Sequence, residues 1–152
     1  MTDTLKETVQ HDLHTAMRAR DQVRAGTLRM VLTAITNEEV AGSTHRDLSD
    51  ADVLKVIAKE GKKRKEAASA YRDADRPELA EKEEAELAVI EGYLPAQLDD
   101  AELARIVDGA VESLGATSMA QMGAVMKAVQ TEVAGRADGG AIAALVKARL
   151  TR

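Results

Sequence analysis

The chain has 152 residues with a formal net charge of −5, and it contains no Cys, Phe or Trp. The absence of Cys excludes a disulfide framework, a thiol nucleophile and a Cys-based zinc site. The acidic balance argues against a protein that coats nucleic acid, because such proteins carry an excess of Lys and Arg to neutralise phosphates. The core must be built mainly from aliphatic residues and Met, which pack well between helices.

The first part of the chain has helical periodicity and lacks the period-two alternation that indicates strands. Apolar spacing predicts helix one over residues 3–20 and helix two over residues 23–40. Ser49 is the predicted N-cap of helix three, and Pro77 favours the start of helix four, predicted over residues 78–93. The apolar residues that share one face of helix one are Leu5, Val9, Leu13, Ala16 and Met17, and those predicted to face inward from helix two are Leu28, Val31, Leu32, Ile35 and Val40. The corresponding residues carried by helix four are Leu79, Leu87, Ile90 and Tyr93.

The pattern breaks at Leu94 and Pro95, since a residue before Pro is biased away from the helical region. Three shorter helices are predicted beyond this break. Their expected boundary residues are Asp99 and Gly115 for helix five, Ser118 and Gly135 for helix six, and Asp138 at the start of helix seven. We therefore expect an all-α protein, with an N-terminal four-helix unit over residues 1–94 and a C-terminal three-helix bundle over residues 95–152.

Helix six contains Gly123, which is predicted to lie in the middle of the helix. A helical Gly costs roughly 0.5–1 kcal/mol relative to Ala, so its small size is expected to serve a purpose. One interpretation is that Gly123 lets helix five or helix seven pack closely. The other is that it faces a ligand.

The corner between helices six and seven has a structural and a functional interpretation. Gly135 is expected to adopt the left-handed conformation, and Asp138 to accept hydrogen bonds from the first amides of helix seven. In the functional interpretation, exposed amides and Arg136 hold a phosphate, although the Asp138 carboxylate repels an anion. Together with Lys127 and Lys147, the corner is a predicted rim for one stretch of nucleic-acid backbone.

Arg64 interrupts the apolar face of helix three. It is surrounded by lysines, whereas helix four is rich in glutamates. One interpretation is an ion-paired helical hairpin in which Arg64 binds a glutamate such as Glu84, because buried Arg is rarely left unpaired. The other is a basic stripe that includes Lys59, Lys62 and Lys63 and binds RNA or an acidic partner.

The three histidines do not predict a metal site. His11 and His14 are three residues apart on helix one, but no third ligand is visible near them, and zinc takes three or four ligands. His45 lies in a predicted loop and is expected to be solvated. We therefore predict no metal, no cofactor and no catalytic residue.

Three short motifs in the C-terminal part resemble those of the GatB/YqeY domain. They are Met122-Gly123 with Val125-Met126-Lys127, Gly135-Arg136-Ala137-Asp138-Gly139, and Leu145-Val146-Lys147. That domain forms the helical tail of the B subunit of glutamyl-tRNA(Gln)/aspartyl-tRNA(Asn) amidotransferase. Further matching segments are Ala16-Met17, Thr27-Leu28-Arg29-Met30, Lys63-Arg64-Lys65-Glu66-Ala67 and Tyr93-Leu94-Pro95 with Gln97-Leu98. The whole chain thus resembles the free-standing YqeY-like proteins.

The resemblance implies two helical domains, the second similar to a lever that contacts the tRNA elbow. It implies a non-catalytic accessory module whose partners are tRNA and an amidotransferase or another tRNA-bound enzyme. The family positions that match are Gly123, Lys127, Gly135, Arg136 and Asp138, and Lys147 lies in the third motif. The alternative is a protein–protein adaptor that does not bind nucleic acid.

The family is also linked to carbon–nitrogen ligase activity with glutamine as amido-N-donor. We do not expect this activity to be intrinsic, because the sequence has no GxxxxGK[ST] phosphate loop and no GxSxG nucleophile elbow. A cytoplasmic location is expected, since there is no apolar signal core and no apolar run long enough to span a membrane.

Overall fold

A computed structural model describes residues 2–151, and these residues form seven α-helices and one short 3-10 turn, with no strand. The predicted all-α fold is confirmed. The chain divides into two compact units, Met1–Leu94 and Pro95–Arg152, which hold four and three α-helices respectively. No helix within residues 2–151 combines the length and the apolar character that a membrane span requires.

The helices of the first unit are α1 (Leu5–Arg18), α2 (Gln22–Glu39), α3 (Asp50–Asp73) and α4 (Pro77–Glu91). Helix α1 ends earlier than predicted because Arg20 adopts a left-handed φ of 58°. The Asp21 carboxylate then caps α2 by accepting a hydrogen bond from the Arg24 amide at 3.1 Å. Ser49 caps α3 as predicted, with its hydroxyl 3.1 Å from the Asp52 amide.

The core of the first unit is aliphatic and lies between all four helices. Its fully packed members are Val9, Leu28, Val31, Ile35, Val53, Ile57 and Ile90. Val40 was predicted to face inward, but it is exposed, and so are Met17 from the apolar face of helix one and Leu79 from the apolar pattern of helix four. Met17 lies in the last turn of α1, Val40 follows the last residue of α2, and Leu79 lies in the first turn of α4. At these helix ends the neighbouring helices no longer cover the side chains.

The close approach of two helices in the first unit occurs at Gly61 of α3. A β-carbon added to Gly61 would lie 3.3 Å from the Ile90 side chain of α4. A larger residue at this position would therefore push against α4.

The second unit consists of α5 (Asp100–Leu114), a 3-10 turn (Met119–Gln121), α6 (Met122–Val133) and α7 (Gly139–Leu150). Asp99 caps α5 in a reciprocal capping box with Glu102, and Gly115 ends it in the left-handed conformation, as predicted. The side chain of Gln121 accepts the amides of Thr117 and Ser118, so the 3-10 turn precedes α6. The core residues are Leu103, Val107, Ala110, Ala116, Val125, Val129, Val133, Ile142, Val146 and Leu150.

Candidate functional site

The corner between α6 and α7 is built from two left-handed residues. Gly135 has a φ of 83°, which confirms its predicted role, but Ala134 before it also has a positive φ of 48°. The helical pattern gave no signal for Ala134, because Ala favours helix and not this conformation. The corner therefore contains a left-handed residue that has the steric cost of a β-carbon.

Asp138 is the N-cap of α7, as predicted. Its carboxylate accepts the Ala141 amide at 3.2 Å. A β-carbon at Gly140 would lie 2.9 Å from the same carboxylate, so a larger residue there would force the capping carboxylate to shift. The Asp138 carboxylate therefore already occupies one of the amides that the anion-capture interpretation would offer to a phosphate.

Arg136 has a structural role that the sequence interpretation missed. Its guanidinium donates from Nε to the Val133 carbonyl at 3.0 Å and from Nη2 to the Glu132 carbonyl at 3.2 Å. The Arg136 carbonyl accepts the Leu98 amide at 2.8 Å. Arg136 thus caps the last turn of α6, where a cation also meets the negative end of the helix dipole.

Gly123 lies in the first turn of α6, and the prediction of a mid-helix position is wrong because the preceding turn is 3-10. It is exposed, and a β-carbon added to it would meet no atom within 4 Å. The interpretation that Gly123 makes room for α5 or α7 is therefore also wrong. The second unit makes no use of its small size.

Lys127 follows Gly123 by four residues, so the two share one side of α6. Val125, Val129 and Val133 are buried and define the opposite, inward side of the same helix. Both Gly123 and Lys127 are exposed. The surface formed by Gly123, which has no side chain, and the cationic Lys127 is called the α6 outer face.

The predicted residues do not converge on one point. Arg136 and Asp138 lie at the corner, whereas Lys127 is six residues before the end of α6, roughly 9 Å along the helix axis. Lys147 is exposed in the last turn of α7, roughly 12 Å from the start of that helix. The predicted set is therefore spread along the α6–α7 pair, and the corner itself is mainly structural.

A shallow cleft of about 360 Å³ lies in the second unit, and Arg136 of the corner is one of its lining residues. Two of its charged side chains already serve the fold, because Glu102 completes the cap of α5 and Arg136 caps α6. Arg105 is exposed at the cleft. The lining residues are Leu98, Glu102, Arg105, Ile106, Gly109, Glu132 and Arg136.

Arg64 in the first unit is buried and ion-paired, which confirms the hairpin interpretation but not the predicted partner. Its Nη1 lies 2.8 Å from Glu60, and its Nε lies 3.4 Å from Glu86 of α4. Glu84 is instead paired with Arg72 at 2.8 Å. The Arg72 guanidinium lowers the pKa of the Glu84 carboxyl, and the hydrogen bond between the two groups is the main cause.

The basic stripe of α3 is exposed at Lys59, Lys62 and Lys63. Lys63 is partly neutralised, since its Nζ lies 3.7 Å from the Glu60 carboxylate. The stripe therefore borders an ion-pair network and is less basic than its sequence indicates.

Tyr93 joins three helices where the first unit ends. Its hydroxyl donates to Asp12 of α1 at 2.5 Å and accepts from Arg24 of α2 at 3.4 Å. Burial, and then the hydrogen bond to Asp12, raise the pKa of Tyr93 well above its ordinary value. The phenol is thus a neutral donor that holds the end of α4 against α1 and α2.

The sequence matches the family described as Yqey-like protein over residues 6–150. It is 35% identical over 92 residues to altered inheritance of mitochondria protein 41, mitochondrial, of Meyerozyma guilliermondii, covering 60% of this chain and 47% of that protein. The protein of the same name from Pyrenophora tritici-repentis is 31% identical over 133 residues, covering 85% of this chain and 71% of the relative.

An uncharacterized protein of Schizosaccharomyces pombe is 36% identical over 92 residues, covering 60% of this chain and 72% of that protein. The chain thus spans about half the length of the Meyerozyma relative, 72% of the Schizosaccharomyces protein and 71% of the Pyrenophora protein.

Proposed function

This chain belongs to the Yqey-like protein family, and we propose that it is a non-catalytic accessory module whose C-terminal unit docks onto a tRNA or a tRNA-bound enzyme. The observation that carries this proposal is the α6 outer face. Gly123 costs helix stability, serves no internal contact and is followed on the same side by the exposed Lys127. A partner backbone that approaches the helix closely would give both residues a purpose.

The chemistry of the α6 outer face suits a phosphate backbone. A Gly leaves the helix surface low enough for a bulky chain to approach, and a lysine one turn away supplies a cation. Lys147 adds a second cation on α7. Residues 95–152 contain six Lys and Arg against seven Asp and Glu, so binding of this kind would depend on a few local contacts.

Amidotransferase chemistry enters only through the partner. Amide transfer needs a glutaminase nucleophile, a path for ammonia and a site that activates a carboxylate, and we assign none of these to the chain. The proposed link is physical, in that the module would help to hold a tRNA or an enzyme that acts on it.

Binding of labelled total tRNA, measured by fluorescence anisotropy at low and moderate salt, tests the proposal. We expect salt-sensitive binding with a shallow slope, because only a few phosphates are neutralised. Lys127→Gln should weaken it, and Gly123→Gln should block it while leaving the fold intact, since Gln favours helix.

Two matched controls sharpen this experiment. Lys82→Gln removes an exposed lysine from α4, and Gly109→Gln fills an exposed Gly of α5 that also has no atom within 4 Å of its added β-carbon. Both should leave tRNA binding unchanged. Equal losses in the controls and the test variants would contradict a role for the α6 outer face.

The alternative function is a protein–protein adaptor, and two exposed apolar residues favour it. Leu114 at the end of α5 is 47% exposed, and Met119 in the 3-10 turn is 41% exposed. Single exposed apolar residues are common on protein surfaces, and a site that meets protein requires that they belong to one contiguous patch. Absence of tRNA binding at low salt would favour this alternative, and a photo-crosslinker at position 119 would then identify the partner.

The compartment is a separate part of the proposal. The Meyerozyma and Pyrenophora relatives are named as mitochondrial proteins, whereas the cytoplasmic location of this chain remains a prediction. Fractionation of the source cells, followed by detection with an antibody against the chain, would test it.

A further inference from the structure

We propose that Glu39, His45 and Asp47 form a binding site for a divalent transition metal ion, for which Zn²⁺ is the appropriate probe. One ligand atom from each side chain lies within 4.8 Å of the other two. The site lies in the first unit, in the last turn of α2 and the segment that follows. It is therefore independent of the tRNA-docking proposal, and each can fail without the other.

The backbone brings these three residues together. After α2 the chain turns back, and the Arg46 amide donates to the Glu39 carbonyl at 3.0 Å. His45 and Asp47 flank Arg46 and are thereby placed beside Glu39. The Arg46 side chain itself pairs with Glu38 at 3.4 Å, so it does not place a cation among the three ligands.

The donor set suits a transition metal. Zinc binds imidazole nitrogen at about 2.0–2.1 Å and carboxylate oxygen at about 2.0–2.2 Å, so two ligand atoms of one tetrahedral ion lie roughly 3.4 Å apart. Ligand atoms that lie up to 4.8 Å apart would therefore have to approach by as much as roughly 1.4 Å, and the exposed side chains of His45 and Asp47 can make this movement. The imidazole favours Zn²⁺ over Mg²⁺ and Ca²⁺, which prefer oxygen ligands.

Lys6 is the competitor at this site. Its ammonium donates to both oxygens of the Glu39 carboxylate, at 2.9 and 3.0 Å, and Glu39 is only 4% exposed. A buried carboxylate needs a cation, and in the metal-free protein Lys6 supplies it. A bound metal would share or replace that cation, so the charge of Lys6 should weaken metal binding.

Isothermal titration calorimetry tests the proposal, with zinc added to the full chain without an affinity tag. The exposed His11 and His14 of α1 could bind metal weakly by themselves, so the titration uses a His11→Ala/His14→Ala background. We expect zinc to saturate at a single equivalent in this background. Either His45→Ala or Asp47→Asn should abolish binding, and Mg²⁺ should not compete.

Lys6→Met distinguishes a metal site from a passive ion pair. Without metal it should lower the melting temperature, because Glu39 loses its cation. With zinc it should recover that loss and bind the ion severalfold more tightly than the parent protein. Absence of zinc binding at a large molar excess, or binding that survives His45→Ala, would overturn the proposal. Circular dichroism of each variant confirms that the helices are intact.

Discussion

The two units hold their helices together by different means. Among the described residues, the buried polar and charged side chains are Thr27, Glu39 and Arg64, and all three lie in the first unit. The buried core of the second unit is apolar throughout. Polar side chains of the second unit, such as Asp99 and Asp138, work mainly at helix ends.

This difference has a physical consequence. Apolar packing is non-directional, whereas a buried ion pair fixes which groups must meet, at a cost in desolvation. Arg64 joins α3 to Glu86 of α4, and Lys6 joins α1 to Glu39 at the end of α2. The stability of the first unit should therefore depend on charge, and that of the second on packing.

The largest expected effect comes from Arg64→Ala. It removes the cation between Glu60 and Glu86, whose carboxylates are mostly buried. Breaking a buried ion pair typically costs about 3–5 kcal/mol, because the remaining charges are uncompensated. Urea unfolding, followed by helical circular dichroism, should show this loss for the first unit.

Ile142→Ala is the matched change in the second unit. Ile142 is 2% exposed in an apolar core, and its truncation should cost about 2–5 kcal/mol through lost contacts and a cavity. A loss below about 1 kcal/mol for Arg64→Ala would contradict a charge-dependent first unit.

A smaller effect is expected from Tyr93 at alkaline pH. The pKa of its phenol is raised in the folded protein, so the stabilisation that follows from this shift is fully present below the ordinary pKa of about 10. As the pH rises above that value, the unfolded phenol ionises first and this stability is lost. The melting temperature should therefore fall more steeply above pH 10 in the parent protein than in Tyr93→Phe.

Other groups also affect the melting temperature at alkaline pH. Their contribution is the same in the parent protein and in Tyr93→Phe, so the comparison of the two proteins removes it. Asp12→Asn is a second control, because it keeps the phenol but removes the carboxylate that accepts its hydrogen bond at 2.5 Å. The melting temperature of Asp12→Asn should fall less steeply with rising pH than that of the parent protein. An identical pH dependence in all three proteins would contradict the raised pKa of Tyr93 as a source of stability.

The parts of the fold that depend on local rules could be predicted from the sequence. Helical spacing identified the buried Leu28, Val31 and Ile35, and the side chains of Ser49 and Asp138 indicated two helix starts. Arg64 was identified as an interruption of an apolar face. The predicted partner Glu84 was wrong because α4 contains several glutamates that the sequence cannot tell apart. Only the packing of α3 on α4 selects Glu86.

The candidate site was less predictable for a similar reason. The sequence could identify Arg136 as a cation at a corner, but its donors are directed to the carbonyls of Val133 and Glu132. The chain turns there through a left-handed Ala134, which no helix-propensity rule indicates. Glu60, by contrast, precedes Arg64 by four residues on one helix, and the spacing alone could have suggested this pair.

The smallest expected effect is a gain in stability from Gly123→Ala. Because Gly123 is exposed, helical and free of neighbours, Ala should raise the free energy of unfolding of the second unit by about 0.5–1 kcal/mol. Gly140→Ala should do the opposite, since its β-carbon would lie 2.9 Å from the Asp138 carboxylate and disturb the cap.

Measuring tRNA binding on the same two variants separates stability from docking. If the α6 outer face meets a partner, Gly123→Ala should weaken binding while making the unit more stable, a combination that no folding defect can produce. Gly140→Ala should lower stability more than it lowers binding. A Gly123→Ala protein that is more stable and binds as well as the parent would show that this Gly is not kept for a partner, and the docking face would have to be sought elsewhere on the second unit.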